Sequence, residues 1–168
     1  MNHNYELYLK WDGNRGTGTA DYKSYDRTYT VQIENKSILH GSADPTFRGD
    51  KTKYNPEDML LAALSSCHMM SYLHVCAVGG VIVLDYSDNA VGEMVTTSDG
   101  AGHFTSVTLN PVVVVADESM IEKANLYHEK ANQLCFIANS VNFPVKHKSI
   151  SSAATTTTAA STAGTTGV

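Results

Sequence analysis

Basic residues are scarce in this chain. Twelve Lys and Arg face 17 Asp and Glu, a net charge of −5 at pH 7 with an isoelectric point near 5.7. That balance supplies no electrostatic footprint for nucleic acid or for an anionic membrane surface. Cysteine is scarce as well: there are three, and an odd number cannot all pair within one chain. The opening "MNHNYELYLKWDG" lacks the basic start and apolar run of a signal peptide. A cytoplasmic, reducing compartment is expected, where cysteines are more often catalytic, redox-active or structural than disulfide staples. Also missing are the CxxC, HxxxH and HExxH spacings that mark strong zinc sites.

What is present reads as one folded domain over 1–150. The length of 168 residues and a hydrophobic content of 42% suffice for a real core. The longest apolar stretch, Met59 to Val78, has bilayer-spanning length, but Ser65, Ser66, His68, Ser71 and His74 interrupt it. It reads as a buried helix and not as a membrane segment. Asn55 suits its N-cap, Pro56 its first position, Glu57 and Asp58 its positive end, and Gly79-Gly80 its stop. The helix is apolar almost all round, so it needs a sheet over it, a partner subunit, or both.

Four β-like segments precede it: "YELYLKW", "TADYKSY", "RTYTVQIE" and "SILHG". After it, "VIVLDYSDNAVGEMVTT" reads as a hairpin turning near Ser87 to Asn89. "HFTSVTLNPVVVV" reads as a strand pair or a long bent strand broken at Pro111. A second helix over "DESMIEKANLYHEKANQLC" starts at the Asp117 cap, with Met120, Ile121, Ala124, Tyr127, Ala131 and Leu134 on one face. "VNFPVKHKSI" reads as a last strand. Residues 151–168 carry no charge and no aromatic ring, and are expected to be a flexible Thr/Ala/Ser-rich tail outside the fold.

Chemistry concentrates around Cys67. Cys76 reads as core filler. Ser65, Ser66 and His68 instead surround Cys67 with a polar island inside an apolar helix, and buried polar groups need partners. His68 points about 100° away from Cys67 around the helix, so it is a poor direct base. Cys67, His68, His128 and Cys135 are metal-ligand types, which leaves a metal site open as a reading. A Cys/His/Asn hydrolase has no signature here.

The stretch "NPEDMLLAALSSCHMM" resembles the central-helix motif of the OsmC/Ohr family, the osmotically inducible proteins C and organic hydroperoxide resistance proteins. Glu57 and Cys67 keep that motif's ten-residue separation. "WDGNRGTGT", "FRGDKTKYNPE" and "ANQLCFIANSV" extend the resemblance from about Trp11 to Val145. His68 after the first cysteine and Phe136 after the second depart from the usual pattern and suggest a divergent side branch.

The resemblance implies an α+β fold of antiparallel sheets wrapped around long central helices, assembled as an intertwined homodimer. It implies a thiol-dependent peroxidase without cofactor or metal. In that role Cys67 would attack an organic hydroperoxide and become a sulfenic acid. Cys135 would resolve it as a disulfide, and an external dithiol would reduce the disulfide. Glu57 and an arginine would support Cys67. Arg48 is the favoured arginine and Arg15 the other candidate. Ten residues along one helix span about 15 Å, so Glu57 is expected to serve the cysteine of a neighbouring subunit. A binding or redox-sensing protein on the same fold is the alternative function.

Overall fold

A computed structural model describes residues 2–155. The chain divides into two compact units, Met1–Leu64 and Ser65–Val168. The long helix α1, Pro56–Gly79, contains the boundary.

The first unit is built on an antiparallel meander of β1 (Tyr8–Trp11), β2 (Tyr29–Gln32) and β3 (Leu39–Gly41). Trp11 pairs with Tyr29, and Tyr29 in turn pairs with Gly41. The expected strand at "TADYKSY" does not form. Side chains there capture backbone groups that a ladder would need. Asn14 Oδ1 accepts from the Gly16 and Gly18 amides, and Asp21 Oδ1 accepts from the Lys23 amide. Only an isolated bridge between Asn14 and Tyr25 remains. A 3₁₀ turn, Pro45–Phe47, follows β3 and ends at Arg48 in the left-handed region, φ 64°.

The start of α1 is capped as the sequence indicates. The Asp58 amide donates to Asn55 Oδ1 at 2.7 Å, and the Asn55 amide donates back to Asp58 Oδ2 at 3.2 Å. This reciprocal pair satisfies two backbone donors at the helix start. Beyond the helix, Gly80 takes φ 76° and its amide closes the last turn onto the Ala77 carbonyl.

The second unit has two three-stranded sheets, ordered β4-β7-β9 and β5-β6-β8. The strands are β4 (Val83–Asp88), β5 (Val91–Thr96), β6 (Gly102–Leu109), β7 (Pro111–Val115), β8 (Val145–His147) and β9 (Ile150–Ala153). The hairpin expected for β4 and β5 is not one. β4 pairs antiparallel with β7, and β5 pairs antiparallel with β6. The chain changes sheet at Asn89 and again at Asn110. The Asn110 amide donates to Asp88 Oδ1 at 2.7 Å and its side chain to the Asn89 carbonyl at 2.8 Å, which ties the two crossings together. β8 and β9 return parallel to β6 and β7.

β9 places residues 151–153, assigned by the sequence reading to the tail, on a sheet edge; the tail beyond 155 lies outside the described residues. The second helix α2, Ile121–Leu134, follows a 3₁₀ turn whose N-cap is Asp117.

The core of this unit joins the C-terminal half of α1 (Tyr72, Cys76), β7 (Val113, Val115) and α2 (Ala124, Ala131). α1 has the length and composition of a membrane-crossing helix. Within this chain only 28% of its most apolar window is buried, with Tyr72 and Cys76 fully buried in the core of this unit.

Candidate active site

The second unit brings Cys67 and Cys135 together. Cys67 lies on α1 and is half-buried. Cys135 is buried at the C-cap of α2, where the backbone turns extended (φ −73°, ψ 108°). Both are free thiols. Burial first, and then the hydrogen bond and charge interaction with Cys67, push the Cys135 thiol up to about 11, against the lowering effect of the Ala138 and Ile137 backbone. The Ala138 amide donates to Cys135 Sγ at 3.4 Å. Cys135 is therefore a protonated thiol at neutral pH, held against its neighbour. Cys76 is separate, in the core, with its thiol raised by burial.

Cys67 opens onto a cavity of about 390 Å³ lined by Met70, Ser71, His74, Leu134 and Phe136. Met70, Leu134 and Phe136 make its wall mostly apolar, so it suits a molecule with a hydrocarbon body.

Next to this pair lies a buried histidine cluster. His68 and His128 are each 1% exposed, and His68 Nε2 lies 3.1 Å from His128 Nδ1. Tyr72 stacks on His128 at 4.0 Å, and His147 meets both imidazoles edge-on. Burial lowers His68 to about 4 and His128 to about 3; the neighbouring histidines add to both shifts, and Asp88 opposes the first. Two neutral rings satisfy one hydrogen bond only when one donates and the other accepts. The polar island of the sequence thus has partners: Ser65 Oγ donates to Asp88 Oδ2 at 2.5 Å, and His68 pairs with His128. Of the proposed metal-ligand types, the structure pairs the two histidines with each other and the two cysteines with each other. Among the described residues no three His, Cys, Asp or Glu side chains converge as a metal-ligand set.

The first unit holds the other predicted residues. Glu57, on the first turn of α1, lines a cavity of about 300 Å³ with Trp11, Tyr25, Arg27, Tyr29 and Phe47. Arg48 is exposed at the end of its 3₁₀ turn and is not among the residues lining this cavity. Arg15 is also exposed, donating to the Lys23 and Ser24 carbonyls with Asp26 at 3.8 Å. The arginine that lines the Glu57 cavity is Arg27, which sequence reasoning missed. Its guanidinium lies over the Tyr22 and Tyr25 rings at 4.4 and 4.1 Å and donates to both of their carbonyls. The available signal was its two-residue spacing from Tyr29 in "DRTY", which aligns side chains in an extended segment.

Comparison with known proteins agrees with the motif. The profile of the OsmC family, described as OsmC-like protein, matches residues 49–149. An OsmC-like protein of unknown function from Vibrio cholerae is 30% identical, with a TM-score of 0.78 over 88% of this chain and 99% of that one. The chain belongs to the OsmC-like family.

More distant structures share the fold. An organic hydroperoxide resistance protein from Elizabethkingia anophelis is 18% identical over 92% of this chain and 100% of its own, with a TM-score of 0.64. One from Legionella pneumophila is 16% identical over 89% and 97%, with a TM-score of 0.65. No curated protein matches the chain.

Proposed function

We propose that this protein is a thiol-dependent peroxidase that reduces organic hydroperoxides. The observation that carries the reading is a half-buried thiol, Cys67, hydrogen-bonded to a buried second thiol and open to an apolar cavity. Two relatives named for organic hydroperoxide resistance share the fold and support it.

In this reading the Cys67 thiolate attacks the distal peroxide oxygen. The S–O bond forms, the O–O bond breaks, and the alkoxide leaves as an alcohol after taking a proton. The protonated Cys135 then loses its proton to the departing hydroxyl of the sulfenic acid. Water leaves and the Cys67–Cys135 disulfide forms. An external dithiol in a reducing, cytoplasmic compartment returns both thiols. The raised Cys135 fits this order, since it is a weak competitor for peroxide but carries the proton that the second step consumes.

Glu57 lies ten residues before Cys67 on one helix, so its carboxylate serves the Cys67 of a second copy in a homodimer. The supporting arginine is Arg48, Arg15 or Arg27; Arg27 has the cavity position in its favour.

Stoichiometric cumene hydroperoxide followed by mass spectrometry tests the reading. One equivalent should yield the Cys67–Cys135 disulfide. Cys67→Ser should abolish peroxide loss, and Cys135→Ser should allow one turnover and then accumulate sulfenic or sulfinic acid at Cys67. Unchanged peroxide with both thiols intact would favour a ligand-binding protein on the same fold. Sedimentation showing a stable monomer at micromolar concentration would remove the second copy from the site.

A further inference from the structure

Two polar atoms in the first unit are shielded from solvent and hydrogen-bond nothing: Glu57 Oε2 and the Tyr29 hydroxyl. Both residues line the Arg27 cavity. Stranding two such groups is costly unless something completes them, since each buried unpaired group costs about 1–3 kcal/mol.

The position of Tyr29 is built, not incidental. β2 and β3 set Tyr29 opposite Gly41, and a Cβ at Gly41 would lie 2.2 Å from Tyr29 Cζ. The phenol therefore lies across bare backbone, which only glycine at that register allows. Burial raises the Tyr29 phenol above its ordinary value, and the nearby Glu57 charge raises it further. At neutral pH it is a donor facing a cavity that also holds a carboxylate acceptor.

A group that completes both must donate one hydrogen bond and accept another. A hydroperoxide does so: its O–H donates to Glu57 Oε2 while its inner oxygen accepts from Tyr29. We propose that Tyr29 is a further catalytic residue, whose hydroxyl donates to the leaving oxygen of a hydroperoxide held by Glu57. This rests on the peroxidase reading.

The balance is complete. The Cys67 thiolate of the second copy, which Glu57 serves in that reading, takes the distal OH as sulfenic acid, the O–O bond breaks, and the alkoxide takes the Tyr29 proton to leave as an alcohol. Water reprotonates the phenolate.

Tyr29→Phe in the full chain tests this, using two peroxides with different leaving groups. tert-Butyl hydroperoxide leaves as a basic alkoxide that needs a proton. Peroxyacetic acid leaves as acetate, which does not. The readout is the single-turnover rate of Cys67 oxidation, with iodoacetamide alkylation of Cys67 as a control for thiolate and fold.

Tyr29→Phe should slow oxidation by tert-butyl hydroperoxide about 100-fold, the low end of general-acid effects. It should change the peroxyacetic acid and alkylation rates less than 3-fold. Equal losses with both peroxides, or none with either, would overturn the role of Tyr29 and leave the peroxidase reading intact. A wild-type protein inert to both peroxides would overturn the two together.

Discussion

Acid should unfold this protein through its histidine pair. His68 and His128 sit near 4 and 3 in the folded state against 6.5 for an ordinary imidazole, because burial disfavours the charged ring. Their folded values are depressed, so the unfolded chain binds the extra protons. Stability is therefore fully present above pH 6.5 and is lost as pH falls toward the folded values. At pH 5 each unfolded imidazole gains about 1.36 × 1.5, or about 2 kcal/mol, that the neutral folded ring forgoes. The pair together removes about 4 kcal/mol between pH 8 and pH 5, a large part of the roughly 5–15 kcal/mol that holds a domain folded. His147, lowered mainly by burial, acts in the same direction.

The window separates this effect from the carboxylates. Asp44, Asp50, Asp99 and Asp117 lie below the usual range through hydrogen bonds to neighbouring residues, so their contribution is lost only below about pH 4. Urea unfolding at pH 8, 6.5 and 5 measures the loss. His68→Leu/His128→Phe replaces both partners of one buried hydrogen bond by apolar groups, a change that can be nearly neutral. That variant should flatten the curve. A wild-type loss below 1 kcal/mol, or an equal slope in the double variant, would refute the reasoning.

Two further outcomes follow from the geometry. Asn55→Ala removes the side-chain half of the α1 cap and should lower urea stability by about 1 kcal/mol; no change would mean that the cap is redundant. Phe136→Ala opens the apolar wall beside Cys67 and should reduce kcat/KM for cumene hydroperoxide about 10-fold more than for hydrogen peroxide, since a lost apolar contact is worth about 1–3 kcal/mol. Equal effects on both peroxides would show that the wall does not hold substrate.

Much of α1 was legible because its signals are local. Asn55, Asp58 and Gly80 each act within a few residues, and the structure uses all three. Strand partners were not legible, because alternation assigns a face and names no neighbour. β4 and β5 alternate as a hairpin would, yet they pair with β7 and β6 in different sheets, and the Asp88–Asn110 bond lies at the crossing. The "TADYKSY" segment failed for a related reason: Asn14 and Asp21 capture amides in turns that a tyrosine pattern does not reveal.

At the candidate site, the polar island around Cys67 was visible and its explanation was not. His68 finds its partner sixty residues away, and only the packing of α1 on α2 makes that pair. Arg48 adjoins the helix motif in sequence but does not line the Glu57 cavity. Arg27 reaches the cavity through the β2 register and an aromatic clamp.

The parallel return of β8 and β9 bears on how the second unit is made. Val145–His147 completes one sheet and Ile150–Ala153 the other, each pairing with a strand formed long before it in the chain. During synthesis, β6 and β7 wait with an unpaired edge until these last strands emerge. Such long-range pairings are slow to form, and open edges invite strands of other molecules. A chain stopped before residue 145 would carry all three cysteines and every histidine of the cluster but His147, yet would expose two sticky edges. Aggregation of a nascent or clipped chain, before loss of any thiol, is the hazard this topology creates.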